Sequence, residues 1–438
     1  MKQFNLLRRA VPQGALILAL WSVCLFSLSP ERMKAGGFQL NEHGARAMAM
    51  GFAVASADAC DVSTIFYNPV GMVFLKDGFS LMLGVTPLLP QATFTGPTNL
   101  NRSFTTSMDL WAFPLPHLYA AYKAQFSGIS VAAGVGVFVP FGAGTSWNEN
   151  WTGRNLALRT YLQTISVNPV IAIGLFDNRV SIAGGVVYSH GSAELRQRVP
   201  NFGTEPFLNL KGEGDYISWN GGITLEPVKG LKIGAAYRSN IQMTYNGRAT
   251  FTTDAAGTQA LPAGLNNLFA DGPGGTSLNL PFDLRTGISY RFSEKFMMEL
   301  GFDYVGWSSY DTLRIRFDKL PGAPSRSGEV INPRNYYNTP TFRLGTEYNA
   351  TETLRLRGGA FYDVVPVEAR YTQPILPDAN RIGVTAGFGV NVSENFVVDF
   401  SYMFVYGLQR EVKGSTFNFD GIYNSWANAV ALSLSYRF

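Results

Sequence analysis

Charge is scarce in this chain: only 15% of its 438 residues are charged, against about 25% in ordinary globular proteins. Cysteine and histidine are scarcer still, with Cys24 and Cys60 and with His43, His117 and His190. Only Cys60 lies beyond the apolar leader described below, which excludes an intrachain disulfide and a cysteine zinc cluster in the remainder. None of the histidines stands at a metal-ligand spacing. A phosphate-cradling Gly-rich loop with its Lys is missing, and no nucleophile motif surrounds a Ser. These absences predict a protein that is not an enzyme and needs no cofactor or metal. Long apolar runs are also missing: beyond residue 35 none approaches 18 residues, so helical membrane spans are not expected.

What is present begins with a leader. Lys2, Arg8 and Arg9 precede Gly14–Leu28, a stretch that is almost wholly apolar. It is long enough for the core of a secretory signal and short for a bilayer-spanning helix. Cleavage is expected near Ala35, giving a signal peptide over 1–35. Lipidation at Cys24 is disfavoured by the bulky Val23 before it. Removing 1–35 takes away five basic residues (Lys2, Arg8, Arg9, Arg32, Lys34) and Glu31, so the formal charge of +4 falls to zero. No basic footprint for nucleic acid then remains.

Downstream, 32 Phe, 20 Tyr and 46 Gly are spread among polar residues. The recurring pattern is alternation. Val430, Leu432, Leu434, Tyr436 and Phe438 alternate with Ala431, Ser433, Ser435 and Arg437. Phe296, Met298, Leu300, Phe302 and Tyr304 alternate with Met297, Glu299, Gly301 and Asp303. A third row runs Phe396, Val398, Phe400, Tyr402, Phe404 and Tyr406. Strand side chains point to opposite faces with a period of two, so one face here is greasy and the other polar. A soluble sandwich shares that pattern. Strand length, aromatic residues near strand ends and the terminal Phe438 favour a membrane barrel, with Phe438 presented to the barrel-assembly machinery.

About 14 strands are expected between 79 and 438, an even number as bacterial barrels require. Short turns, such as Gln125–Gly128 and Phe292–Lys295, alternate with long loops at 92–107, 141–158, 199–210, 254–279, 319–333, 371–379 and 413–424. Closure is compulsory, because an open sheet edge cannot be satisfied in hydrocarbon. Residues 36–77 break the pattern. They hold a small-residue stretch, Ala45–Ala59, of helical character with Asn41 as a candidate cap, followed by the turn Tyr67-Asn68-Pro69-Val70-Gly71. A lumen of this width fills with water unless occupied. Residues 36–77 are therefore read as a hatch within a barrel formed by 78–438, with a free periplasmic tail as the alternative.

Several segments resemble one family. Gly37-Phe38-Gln39-Leu40-Asn41-Glu42, Ala57-Asp58-Ala59, Asp61-Val62-Ser63-Thr64 and Phe66-Tyr67-Asn68-Pro69 are similar to the N-terminus of FadL/TodX-type outer-membrane transporters. Val137–Gly142, Trp151-Thr152-Gly153-Arg154 and Val167-Asn168-Pro169 extend the likeness. Val70 departs from it, standing where the family usually has Ala. The resemblance implies a monomeric 14-stranded outer-membrane barrel that imports long-chain fatty acids or other hydrophobic compounds. It further implies a hydrophobic small-molecule ligand, release into outer-membrane lipid through a kinked third strand, and a capture groove formed by the loops 199–210 and 254–279. Strand patterning alone equally allows an aqueous porin, or a surface receptor or adhesin.

Candidate residues follow. Gly134, Gly136 and Pro140 are expected to interrupt the third strand, since Gly weakens a ladder and Pro lacks its donor; the resulting opening is expected near Asn68 and Pro69. The competing reading is that the glycines make room for the hatch. Leu261, Leu265, Leu268 and Phe269 stand at helical spacing, which predicts an amphipathic loop helix with a greasy capture face. Phe38 and Leu40 are candidate pocket residues. Inward charges such as Asp283 with Arg285, Arg343 with Glu347, Arg355 with Arg357 and Glu299 with Asp303 are expected mainly to pair around the hatch. One inward Arg, with Arg285 and Arg343 as candidates, is expected to hold a cargo carboxylate bidentately.

Overall fold

The computed structural model describes residues 37–438 except 59–60, 102, 201–204, 255 and 266. The signal peptide expected over 1–35 and its cleavage site lie outside the described residues.

Alternation builds one continuous antiparallel sheet. Its strands are β1 (Gly78–Gly96), β2 (Phe104–Ser107), β3 (Phe113–Phe126), β4 (Ile129–Phe138), β5 (Gly142–Ser146), β6 (Arg159–Leu175) and β7 (Val180–Arg198). There follow β8 (Phe207–Val228), β9 (Leu231–Arg238), β10 (Ile241–Thr252), β11 (Gly272–Leu280), β12 (Asp283–Arg291), β13 (Phe296–Val305) and β14 (Thr312–Phe317). The last are β15 (Gly328–Pro333), β16 (Thr339–Asn349), β17 (Leu354–Asp363), β18 (Arg381–Asn391), β19 (Phe396–Val412) and β20 (Gly421–Arg437). Breaks divide several passes, so that β2 with β3, β4 with β5, β9 with β10, β11 with β12, β13 with β14, and β15 with β16 each make one pass. Fourteen passes result. The sheet closes where β1 meets β20, from Ser80 opposite Arg437 to Thr95 opposite Ile422.

The outward face is apolar. Val430, Leu432, Leu434 and Tyr436 are all 38–43% exposed, while Ala429, Ala431 and Ser433 between them are buried. A water-soluble sandwich would turn those rows inward; here they face the bilayer. Turns at one end are tight. Ser127 and Gly128, both at positive φ, join β3 to β4 in two residues, the geometry whose twist matches paired strands. Long connections gather at the other, extracellular end.

The described residues between 37 and 75 fill the lumen. They contain α1 (Ala45–Ala49), α2 (Thr64–Tyr67) and a 3-10 turn over Pro69–Phe74. The helix expected over Ala45–Ala59 is only α1. Gly51, Phe52 and Ala57 take positive φ and break it. Asn41 does not cap it: Gly44 occupies that position, and the Asn41 side chain instead accepts from Arg285 Nη2 at 2.8 Å. Close packing against the wall explains the small residues. A Cβ on Gly359 would lie 2.2 Å from Gly51 N, and one on Gly234 would lie 2.1 Å from Ala55 O. Hatch backbone therefore rests on strand backbone, with no room for side chains between.

Inward charges fasten this plug. Arg46 on α1 meets Glu347 at 2.8 Å, and Glu347 is shared with Arg357, which also reaches Asp399 at 2.6 Å. Ser56 donates its N–H and its hydroxyl to Glu299, at 2.7 and 2.6 Å. Arg238 Nη2 donates to Phe66 O at 2.9 Å, and Asn68 Nδ2 donates to Thr224 Oγ1 at 3.2 Å. The lumen charges are thus largely spent on holding the hatch, the expected role for most of them.

Candidate functional site

The third pass is where the wall changes. β4 pairs with β3 only as far as Val137 opposite Leu118, while on its other side it follows β6 to Phe138 opposite Ser166. Pro140 has no N–H to continue a ladder. The chain turns inward here and pairs with the hatch: Leu40 N donates to Pro140 O, and Gly142 N donates to Phe38 O, both at 2.9 Å. β5 then resumes against β6 alone. Among the described residues, Phe113–His117 of β3 are left with no ladder partner on the third-pass side, although they still pair with β1.

This corrects the sequence expectation in position and cause. Gly134 and Gly136 do not interrupt the strand; both sit in an unbroken ladder. A Cβ on Gly134 would lie 2.7 Å from Met72 Sδ, and one on Gly136 would lie 2.9 Å from Ile65 Cγ2, so these glycines make room for the hatch. The break lies higher, at Val139–Phe141. It sits beside Phe38–Leu40, whereas Asn68 bonds Thr224 of β8 and Pro69 lines a small pocket with Asn220 and Gly221 of β8.

Aromatic rings cover the break from outside. Phe113 crosses it so closely that a Cβ on Gly144 would fall 1.8 Å from the ring. Tyr161 stacks on Trp111 at 5.7 Å and on Phe113 at 6.4 Å, and Arg159 lies 4.5 Å above Trp111.

Behind the rings is a cavity of about 440 Å³, within the usual size of small-molecule sites. Phe38, Leu40, Leu88, Leu115, Val139 and Met403 line it, together with Phe113 and Gly144 of the break. Its other end is polar and rich in acid, with Gln39, Glu42, Asp363, Asp378 and Arg381. Burial pushes the Glu42 carboxyl above its ordinary range, more than its backbone hydrogen bonds pull it down. Burial does the same to Asp378, which accepts from Gly37 N at 2.5 Å.

A second cavity of about 90 Å³ lies across Phe38, lined by Leu162, Leu210, Tyr245, Leu278, Tyr310 and Ile315. Phe38 lines both cavities, held edge-on by Trp307 at 4.9 Å and Tyr310 at 5.3 Å. Three charged residues line the second cavity, Glu194, Lys211 and Arg334, and Arg334 is the most deeply buried of them. Arg334 is 4% exposed, and among the described residues its Nε and Nη2 find no hydrogen-bond acceptor.

The candidate arginines differ from Arg334. Arg285 contacts Asp283 at 2.6 Å and Asn41 at 2.8 Å and stacks on Phe66. Arg343 contacts Asp303 at 2.6 Å and borders the larger cavity. Both are engaged as hatch and wall partners, so neither is the free guanidinium expected. Arg154 pairs with Glu205 at 2.7 Å, a structural role.

The amphipathic helix expected over Leu261–Phe269 is not formed. A single turn runs from Pro262, with Phe269 N donating to Leu265 O; Pro262, Gly264 and Pro273 leave little room for more. Leu261 and Phe269 are buried, Phe269 against Phe251 at 5.6 Å, and Leu268 is 37% exposed. Part of the other loop expected in a capture groove, 201–204, lies outside the described residues. Sequence reading missed Arg334, Asp378, Trp111, Phe113 and Tyr161. Trp111, Arg334 and Asp378 lie outside the strands, and Phe113 and Tyr161 stand at strand starts; Pro140 alone signalled the break beneath the rings.

A family model described as "Outer membrane protein transport protein (OMPP1/FadL/TodX)" matches residues 27–438. The chain belongs to the FadL/TodX family. It is accordingly an outer-membrane protein, and its closed barrel agrees. A Neisseria meningitidis serogroup B protein assigned to the outer membrane is 28% identical over 434 residues, covering 88% of this chain and 91% of that one. A long-chain fatty acid transport protein of Escherichia coli O6:H1 is 24% identical over 410 residues, covering 85% and 87%. Among solved structures, a Pseudomonas aeruginosa FadL homologue superposes with a TM-score of 0.77 at 19% identity, covering 92% of this chain and all of that one. The Pseudomonas putida toluene transporter TodX does so at 0.70 and 16%, covering 91% and 99%. FadL/TodX members so named are transporters and channels.

Proposed function

We propose that this protein is a passive importer of hydrophobic acids, long-chain fatty acids above all, which leave sideways through the break at Val139–Phe141. One observation carries the reading. A largely apolar cavity is bounded on one side by the hatch and on the other by the broken wall itself, Phe113 and Gly144. The energetics favour such a route. Burying a methylene is worth about 0.8 kcal/mol, so a 16-carbon chain holds on the order of 10 kcal/mol against release into water. An exit into lipid avoids that cost.

The fatty-acid transport protein and the toluene transporter among the relatives frame two cargo classes. Arg334 favours the acid. Leaving Nε and Nη2 of a buried guanidinium without an acceptor is costly, and a carboxylate in the second cavity would relieve it. Such a cargo would place its head at Arg334 and its chain past Phe38 in the larger cavity, away from Glu42 and Asp378. The hatch argues against an aqueous porin, since it fills the space that water would need.

Ala143 lines both cavities, so Ala143→Trp would obstruct the path from Arg334 to the break. In cells relying on this protein, uptake of a labelled 16-carbon acid should fall to background while the barrel still inserts. Uptake at the wild-type rate by a correctly inserted Ala143→Trp protein would reject the reading. Sugar flux through wild-type protein in liposomes should be negligible; ready flux would support the porin instead.

A further inference from the structure

We infer that Arg159 forms a second carboxylate site, at the outer lip of the break, which takes over the head group as cargo passes into lipid. The inference rests on the import route and on the head-group position at Arg334 proposed above.

That route leaves a difficulty at its last step. With the head at Arg334 and the chain toward the break, cargo enters the bilayer tail first, and its carboxylate crosses the wall last. A carboxylate moved through apolar surroundings without a partner is strongly disfavoured. A cation on the far side of the opening lowers that barrier, and Arg159 stands there. On β6 the buried Leu162, Thr164 and Ser166 alternate with the lipid-exposed Ile165 and Val167. Arg159 and Tyr161 share the outward parity of Ile165 and Val167. The Arg159 guanidinium lies 4.5 Å above Trp111, and Trp111 stacks on Tyr161 at 5.7 Å. Trp111 lines the larger cavity, and Tyr161 lines both cavities. The guanidinium is thus one ring away from the path of the cargo.

Neighbouring charges leave room for an anion. Among the described residues Arg159 Nε is enclosed without an acceptor. On the β5 side Ser146 lies across from Arg159, and the acid there, Asp109, accepts from Ser146 Oγ at 2.8 Å. On the β7 side the residue across is another cation, Arg196, whose ion pair is with Glu194 at 3.8 Å. A guanidinium stacked on a ring keeps its N–H edge open to a carboxylate, which it matches bidentately. Its level also suits a lipid-bound acid. Trp and Tyr rings gather at the membrane interface. A fatty acid lodged in the outer leaflet holds its carboxylate at that level, with its chain along rows such as Ile165 and Val167.

The test measures uptake of a labelled 16-carbon acid and of its methyl ester in cells relying on the full-length protein. Arg159→Gln should cut the maximal rate for the acid about tenfold, the worth of one charge-assisted hydrogen bond. The half-saturating concentration, set at Arg334, should move by less than about twofold. Uptake of the ester should barely change, and Arg159→Lys should recover the acid to within a few-fold of wild type. An unchanged acid rate in Arg159→Gln overturns the inference. So does an equal fall for acid and ester, which would leave Arg159 only as a clamp on Trp111. Loss of uptake in Ala143→Trp with no effect of Arg159→Gln rejects this site alone, whereas wild-type uptake in Ala143→Trp rejects the route on which it rests. A second measurement needs no substitution. Wild-type protein loaded with a 16-carbon acid bearing a diazirine beside the carboxylate should give adducts on Trp111 as well as in the second cavity. Adducts confined to the second cavity overturn the inference.

Discussion

Glu347 is the point at which removing one group should undo the hatch. It receives Arg46 from α1 at 2.8 and 3.0 Å and Arg357 from the wall at 2.7 Å. Arg357 in turn holds Asp399 at 2.6 Å. All four side chains are 0–11% exposed, and their charges balance two against two. Glu347→Gln leaves Arg357 with Asp399 and takes from Arg46 the buried carboxylate it meets at 2.8 Å. Breaking a buried pair in this way costs about 3–5 kcal/mol. Arg46→Met strands a negative charge instead and should cost nearly as much. Together the two substitutions restore the balance, because Arg357 and Asp399 remain paired. The double variant should therefore recover most of the loss, with a coupling energy above about 2 kcal/mol. Native-state hydrogen exchange of the α1 amides measures the opening energy of the hatch in each protein. A single substitution costing less than about 1 kcal/mol, or a double variant no more protected than either single one, would refute the reasoning.

Three further outcomes are expected. Arg334→Gln should weaken binding of a long-chain acid by about tenfold to a hundredfold, the worth of a hydrogen bond to a charged group, and leave toluene binding within a few-fold; calorimetry with both ligands separates them. Phe113→Ala removes the ring lying over Gly144 and should raise the initial rate of fatty-acid uptake, so an unchanged rate would deny Phe113 a gating role. Glu42 binds its proton more tightly in the folded hatch than unfolded, since burial raises its pKa. Its stabilising contribution is therefore complete below the ordinary value of 4.5 and is lost as pH rises through the raised one. Protease resistance of the hatch should decline over that window, and Glu42→Gln should flatten the decline.

The barrel was legible because a lipid-facing strand has a strict period of two: the rows at 296–304, 396–406 and 430–438 emerge on the outer face as read. The plug was legible from a break in that period. Its internal shape was not, since Gly51 and Ala55 are small because they rest on the wall glycines Gly359 and Gly234, and small residues mimic helix composition. The third-pass break was half legible. Pro140 marks it, whereas Gly134 and Gly136 serve hatch clearance, and strand propensity cannot tell a gap from a cushion. The cavity charge was hidden for another reason: whether an inward Arg is paired depends on partners far apart in sequence, such as Arg343 with Asp303 or Arg285 with Asn41. Arg334, in the irregular stretch following β15, carries no pattern at all.

The path of the cargo can be mapped by irradiating wild-type protein loaded with a 16-carbon acid that bears a diazirine at mid-chain, then locating adducts by peptide mass spectrometry. The account predicts labelling of Phe113, Leu115 and Val139, around the break. Labelling concentrated instead on Ile65, Pro69 and Met72, deep between the hatch and the periplasmic half of the wall, would mean that cargo travels down the lumen and would contradict it.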